Sequence, residues 1–271
     1  MSLSDLAKAP KALIEFTREI YGDLAKPGLQ KVGHAFSILM GFLPAALWKF
    51  EVWQDQKKLL RDKYFEEYRL ELENIPIEKI VPVLPDLGVP IIQNLSHTIT
   101  EEVGRLYINL LTKASNLDTF SDCHPKMIST IQSLSPDEAK IIGYLNSLGP
   151  EPYGLPSIKL SYGTKQNAVE VFSKYFCFEE KVNLSNPASL FIYIDNLVQL
   201  EILEHRRELV DDQNGYNYLS NTNYVKNIKE EYLLKHKPTE GKDFLYYQGI
   251  LLVTKYGRLF IKTCGDSITS N

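Results

Sequence analysis

Apolar side chains recur at helical spacing in several stretches, most clearly between residues 103 and 114. The repeating positions are Val103, Leu106, Tyr107, Leu110, Leu111 and Ala114. Steps of three and four residues place them on one face, which predicts a core helix. Thr98 and Glu101 before it have the spacing of a capping box, and Thr100 is an alternative N-cap.

Two further helices are predicted nearer the N-terminus, from Ser4 to about Tyr21 and from Glu51 to Glu73. Closely spaced charges of both signs in the second are typical of a solvated helix face. Its expected packing residues are Val52, Leu59, Leu60, Phe65 and Leu72. Four prolines, Pro76, Pro82, Pro85 and Pro90, follow. Because proline removes a donor and restricts its predecessor, they predict an extended connection with one short helical turn.

The stretch "CHPKMISTIQSLSPDEAKIIGYL", residues 123–145, combines a cysteine, a histidine and two carboxylates. It predicts two successive helix beginnings, with Pro125 and Pro136 each at a first helical position. The apolar positions of the stretch are Met127, Ile128, Ile131, Leu134, Ile141, Ile142 and Leu145. Ser135 is the predicted N-cap of the second helix, and Asp137 and Glu138 lie where the helix dipole favours negative charge. This pattern gives the polar residues structural roles, except for His124 and Cys123.

The pattern changes after residue 149, where "GPEPYGLPSIKL" predicts a turn-rich boundary. We expect a mainly α fold with a smaller α+β part, divided into a helical domain over 1–148 and a winged-helix-like domain over 149–271. The second domain should hold a helix after Asn186-Pro187, and a hairpin made by 200–210 and 215–220 across "DDQNG". A last strand, Ile250 to Val253, should be followed by a cap at Thr254 and a final helix.

One segment, Val32 to Trp48, contains no Lys, Arg, Asp or Glu over seventeen residues. That length is at the lower edge of the roughly 17–25 residues that cross a bilayer. The segment is either a buried helix, or a helical pair bent near Gly41 and Pro44, or a segment that acts on a membrane or a partner after a conformational change. Its candidate contact residues are Phe36, Leu39, Met40, Leu43, Leu47 and Trp48.

Composition changes this interpretation little. The formal net charge is −4, which gives no general support for nucleic-acid binding. The three cysteines are far apart and do not predict a disulfide framework or a thiolate zinc site. The N-terminus lacks the pattern of a signal peptide. We therefore expect a cytoplasmic protein, with membrane association in an active state as a further alternative.

No catalytic or metal-binding motif is recognisable, and we expect no catalytic residue, metal or other cofactor. "PDEAK" at residues 136–140 has the letters of a nuclease motif, but all five residues fall on one helix beginning. A nuclease site needs carboxylates from separate positions to hold magnesium. A non-enzymatic protein is therefore expected, while an active site dispersed along the sequence stays an alternative.

Nucleic-acid binding has one candidate site, at His205, Arg206 and Arg207. The surrounding residues include Glu204, Glu208, Asp211 and Asp212. Contact with phosphate requires net positive potential, so this charge pattern favours a protein partner or self-association over DNA.

The ordered stretches "IPIEKIVPVLPDLGVPIIQNL", "EEVGRLYINLLTKASN" and "HPKMISTIQSLSPDEAKII" resemble the Abi-alpha (abortive infection alpha) family of bacterial proteins, whereas residues 150–185 match it poorly. The positions that match its motif are His124, Pro125, Ser135, Asp137 and Glu138. The resemblance implies a role in defence against phage and supplies no catalytic residue. It favours a non-enzymatic effector or its regulatory partner, acting on a protein or a membrane; the alternative is a winged-helix nucleic-acid-binding regulator.

Overall fold

The computed structural model describes residues 55–95, 97–98, 100–149, 154–207 and 212–265, without the side chains of 55–62. Elements are numbered within this part of the chain. The helix predicted from Ser4 and the whole Val32–Trp48 segment, with its six candidate contact residues, lie outside it. None of the helices that the structure describes is both long and apolar enough to cross a membrane.

The described residues form two compact units. The first holds the residues up to 136 together with 263–265, and the second holds 137–262. The predicted domain boundary after residue 148 stays a prediction, because compactness alone does not define an independently folding domain.

Among its described residues, the first unit contains four α-helices and two 3-10 turns. Their bounds are α1 (Asp55–Glu73), α2 (Pro85–Leu95), α3 (Glu101–Ala114) and α4 (Lys126–Gln132), with turns at Ile77–Lys79 and Phe120–Asp122. All six predicted apolar positions of α3 are buried, as that prediction requires. Tyr64 and Tyr68 of α1 pack here and bond to the backbone oxygen of Thr100 (3.0 Å) and the hydroxyl of Ser115 (2.6 Å). Gly104 makes this approach possible, since a Cβ there would overlap the Tyr64 ring.

Two predictions for this unit are wrong. The proline-rich connection contains an 11-residue helix, α2, with Pro90 inside it. Burial of its apolar face outweighs the hydrogen bond that Pro90 cannot donate, and Asn94 Nδ2 donates to the carbonyl oxygen of Pro90 at 2.8 Å. The second is the capping box at Thr98, whose Oγ1 donates back to the carbonyl oxygen of Asn94 at 2.9 Å. The predicted alternative, Thr100, occupies the N-cap position of α3, without a side-chain capping bond.

The second unit contains a four-stranded antiparallel sheet, in which the strand order is β2-β1-β4-β3. The strands are β1 (Leu155–Gly163), β2 (Ala168–Tyr175), β3 (Leu203–Arg206) and β4 (Asp243–Val253). The helices are α5 (Pro136–Ser147), α6 (Leu190–Gln199), α7 (Gln213–Ser220), α8 (Asn223–Lys235) and α9 (Lys255–Cys264). Ile158 of β1 shares a buried cluster with Tyr216 and Leu219 of α7 and Val225 of α8. The α+β content and the final strand, cap and helix agree with the prediction, and Thr254 Oγ1 accepts from the N–H of Gly257 at 2.8 Å.

The predicted hairpin is wrong. Its second strand, 215–220, lies in α7, and β3 pairs instead with β4, through Leu203 opposite Val253. Asp212 begins α7 by accepting from the N–H of Gly215 at 2.8 Å. The winged-helix outline, which rested on that hairpin, is therefore not confirmed.

Candidate functional site

The Asp137 carboxylate lies at the first turn of α5 and is only 3% exposed. Oδ1 accepts from the backbone N–H of Ser185 at 2.8 Å and from Lys140 Nζ at 3.1 Å. Oδ2 accepts from the N–H of Asn186 at 2.9 Å and from the Tyr193 hydroxyl at 3.1 Å. One side chain therefore binds α5 to the segment that leads into α6 and to α6 itself.

The neighbouring Glu138, also 3% exposed, contacts α6 one turn further along. Its Oε1 accepts from Asn196 Nδ2 at 2.6 Å. We call this set of contacts the carboxylate clasp. Its members are Asp137, Glu138, Ser185, Asn186, Tyr193 and Asn196.

Electrostatics keeps the Asp137 carboxylate ionised. Burial alone would raise the pKa of Asp137, but the N–H groups of Ser185 and Asn186, with Lys140 and Tyr193, outweigh it and hold that pKa well below its ordinary value. A carboxylate with such a low pKa does not exchange protons near neutral pH. Asp137 is therefore suited to positioning α6 and unsuited to general acid–base chemistry.

The comparison with protein families decides the relationship of this chain to known proteins. The model of the family described as abortive infection alpha matches residues 55–264. The chain belongs to the abortive infection alpha (Abi-alpha) family. At the level of the family, membership links it to abortive infection, a form of defence against phage.

Other comparisons add little. No curated protein gives a significant match to the chain. Among solved structures, the chain is similar to an uncharacterized protein of the hydrocarbon-degrading marine bacterium Alcanivorax borkumensis SK2. The two are 13% identical, with 51% of this chain and 91% of that one covered, at a TM-score of 0.34.

The clasp gives the Abi-alpha motif a second structural role. The predicted helix beginning at Pro136 is confirmed, with Asp137 and Glu138 in the first turn. Their bonds to positions 185, 186, 193 and 196 were not predicted, because the partners lie 48 to 58 residues away. No local sequence pattern reports a pairing over that distance.

Cys123 and His124, the two polar residues of the 123–145 stretch without a predicted structural role, also act within the fold. His124 Nδ1 accepts from the N–H of Lys126 at 3.0 Å, at the start of α4. Burial, with a smaller contribution from Asp122, raises the pKa of the Cys123 thiol to about 12. At that pKa the thiolate that a nucleophile requires is scarce at neutral pH.

The predicted nucleic-acid contacts occupy the end of β3. The guanidinium of Arg206 is bound to both carboxylate oxygens of Glu204, at 2.8 and 2.9 Å, and Arg207 is exposed. His205 is partly buried, and burial, followed by the charges of Lys174 and Arg207, lowers its pKa. A neutral ring adds no positive charge for a phosphate, and the predicted contact with nucleic acid stays a prediction.

A serine and a histidine lie close together inside the sheet, as a catalytic nucleophile and its general base would. Ser157 Oγ of β1 lies 3.0 Å from His205 Nε2 of β3. Ser157 is 0% exposed, so no substrate reaches its oxygen in this conformation. A Cβ on Gly249 of β4 would lie 2.9 Å from Ser157 Oγ and 3.0 Å from His205 Nε2. We therefore interpret the pair as a brace across three strands.

A second polar cluster, absent from the predictions, lies at the end of β2. The Tyr175 hydroxyl donates to Glu179 at 2.6 Å and lies 3.0 Å from Thr222 Oγ1. Cys177, which lies between Tyr175 and Glu179 in the sequence, has a φ of 59°. This left-handed backbone conformation is unusual for a residue other than glycine. Burial raises the pKa of its thiol to about 11.

Nowhere in the described residues do three His, Cys, Asp or Glu side chains come together closely enough to hold a metal ion.

Proposed function

We propose that this Abi-alpha protein acts in abortive infection as a non-enzymatic effector, or as the regulatory partner of one. It would work through contact with a protein or a membrane. The observation that carries the proposal is the clasp, in which both carboxylates of the family motif bind the chain's own backbone and side chains.

The chemistry of the clasp supports a scaffold over an active site. A catalytic base exchanges a proton with substrate, and a metal ligand keeps oxygen lone pairs for the ion. Asp137 meets neither condition, because four donors from this chain occupy its oxygens and hold its pKa low. A motif that fixes the position of α6 directs attention to the surface that α6 presents.

Contact with a protein or a membrane is favoured over nucleic-acid regulation. Of the predicted basic contacts, Arg206 is already neutralised by Glu204, and His205 lies partly inside the sheet. Neutralising phosphates requires unpaired cations. The winged-helix regulator predicted as the alternative therefore has the weaker support.

The proposal is tested by infecting bacteria that express the wild type or the Leu39→Asp, Leu43→Asp double variant, while plaque formation and membrane potential are recorded. We expect the wild type to reduce plaque formation and the double variant to lose this protection, because two apolar positions of the Val32–Trp48 segment become charged. An Asp195→Asn variant, altered at an exposed carboxylate, is the matched control. Unfolding in urea must show that both variants remain folded.

The membrane potential separates the two modes of action. Depolarisation by the wild type and not by the folded double variant identifies a membrane effector. Protection with an unchanged potential identifies a protein partner. A wild type that leaves plaque formation unchanged overturns the proposed role in defence.

A further inference from the structure

His205 of β3 is the partly buried histidine of the brace, and its ring lies against β1 and β4. Its Nε2 is 3.0 Å from the Oγ of Ser157, and a Cβ on Gly249 would be 3.0 Å from the same nitrogen. The ring of Phe176, directly after β2, stands nearly perpendicular to it at a centroid distance of 5.9 Å. A hydroxyl, a strand backbone and an aromatic ring therefore surround the imidazole, and such a site suits its neutral form.

The charges that face this ring oppose a further positive charge. The cations are Lys174 of β2 and Arg207, which directly follows β3, and the opposing carboxylate is that of Asp195 in α6. That carboxylate is already bound to Lys174 Nζ, at 2.5 Å. Burial first, and then the two cations, hold the pKa of His205 below its ordinary value, and Asp195 offsets them only in part.

The other charged pair of β3 does not compensate for these cations. Side chains alternate between the two faces of a strand, so Glu204 and Arg206 lie on the face opposite His205. They are bound to each other, at 2.8 and 2.9 Å. From β1 and β4 the ring meets only the uncharged Ser157 and Gly249. A proton on this imidazole therefore adds a charge where the fold offers little to neutralise it.

The two ends of β3 are held differently. At its start, the N–H of Thr254 donates to the carbonyl oxygen of Ile202 at 3.1 Å, and Leu203 is 1% exposed. At its end, Arg206 is exposed, and within the described residues the strand pairs with β4 alone. His205 is the last side chain of β3 that packs into the sheet, so a change in its charge acts on the end of the strand and leaves the start anchored.

We propose that His205 is an acid-sensitive latch, which holds the end of β3 on the sheet while its ring is neutral and releases it when the ring gains a proton. Release separates His205 and Arg206 from their partners Leu251 and Ile250 in β4. The backbone of β4 then forms an open sheet edge, the kind of surface that pairs with another extended segment. The inference goes beyond the proposed function, since it concerns regulation by pH whichever partner the protein contacts.

The difference between the two states fixes the direction of the response. In the released strand the ring is solvated, and its pKa returns towards the ordinary value of 6.5. The released state therefore binds a proton more readily than the closed state. The closed state is most stable above about pH 6.5 and loses stability as the pH falls below that value. The loss ends below the lowered pKa of the closed state, where the ring is protonated in both states.

Hydrogen exchange of the full chain tests the inference, measured by mass spectrometry at about pH 7.5 and 5.5 and corrected for the intrinsic exchange rate at each pH. Residues 203–206 and 250–253 should lose protection by at least about threefold at the lower pH. Residues 160–170, in the β1–β2 hairpin, are the internal reference and should keep theirs.

Two matched variants separate the latch from a general effect of acid. His205→Gln keeps a hydrogen-bonding side chain that takes up no proton, so its protection should be the same at both pH values. His236→Gln makes the same change at an exposed ring directly after α8 and should leave the wild-type response intact. Equal protection of the wild type at both pH values, or a response that His205→Gln retains, overturns the inference.

An NMR titration of the His205 ring covers the case in which His205→Gln does not fold. The midpoint in the wild type should lie below 6.5, and a midpoint at or above that value overturns the inference. Lys174→Gln keeps the histidine, removes one cation and frees the Asp195 carboxylate, so the midpoint should rise and the loss of protection should shrink. Neither measurement involves plaque formation, so the proposed role in defence is tested separately.

Discussion

Asp137 remains a carboxylate although almost no solvent reaches it, and its surroundings explain why. Burial penalises the charged form, whereas two backbone N–H groups, a lysine and a tyrosine hydroxyl favour it more strongly. Because those donors come from α5, from Ser185 and Asn186 and from α6, ionisation of this one group and the correct placement of α6 depend on each other.

Replacing Asp137 with asparagine should lower the free energy of unfolding by about 3 kcal/mol at pH 7, because an amide meets N–H donors with its own NH₂ group. The folded state lowers the pKa of Asp137 relative to the unfolded chain. Its stabilisation is therefore complete above about pH 5 and is lost as the pH falls through 4 and below. Urea unfolding at pH 7 and from pH 5 downward measures both effects, and Asp137→Asn should flatten the acid side of the curve.

The matched comparison is Asp195→Asn, which makes the same chemical change on a side chain that is 59% exposed. It should cost well under 1 kcal/mol, as exposed ion pairs do. Equal losses for the two variants would show that the clasp does not stabilise the fold.

The elements differ in how far local sequence determines them. Helix α3 has a long, strict apolar repeat, and that repeat alone predicts its buried face. Helix α2 contradicts the local rule because the burial of residues such as Ile91 outweighs the cost of Pro90. The local sequence of residues 215–220, in α7, fits a strand or a helix equally well. Burial of both Tyr216 and Leu219 favours the helix. The clasp and the strand order join residues far apart in the sequence, and no local pattern encodes such pairings.

The sheet carries a testable consequence of close packing between β1, β4 and β3. Gly249→Ala should lower the free energy of unfolding by about 1–3 kcal/mol, the usual cost of overpacking. The added Cβ would lie 2.9 Å from the carbonyl oxygen of Arg206 and would also crowd Ser157 and His205. Thermal and urea unfolding of the purified variant measure the loss.

Gly143→Ala provides the control for this substitution. Gly143 lies inside α5, and a Cβ there would meet no atom within 4 Å. Alanine should stabilise the helix by up to about 1 kcal/mol. If the two variants changed stability in the same direction, the steric account of the brace at Gly249 would be wrong.

The three thiols report on the two compact units separately. Cys123 and Cys264 belong to the first unit and Cys177 to the second. Burial raises the pKa of all three, to about 12 for Cys123, to about 11 for Cys177, and well above its ordinary value for Cys264. In the native protein near pH 8, we therefore expect N-ethylmaleimide to label each of them slowly.

Both divisions between the units fall inside helices, before Asp137 in α5 and after Lys262 in α9. If either unit unfolded alone, backbone hydrogen bonds in the first turn of α5 or in the last turn of α9 would break. We therefore expect the two units to unfold in one transition. Pulse labelling of the wild-type chain across a urea gradient, with each cysteine measured by peptide mass spectrometry, gives a midpoint for Cys177 and one for Cys264. Coincident midpoints that match the loss of helical circular dichroism are the expected result. If Cys177 became reactive at a clearly different urea concentration from Cys264, the units would unfold independently, and the stability changes expected at Asp137 and Gly249 would apply to the second unit alone.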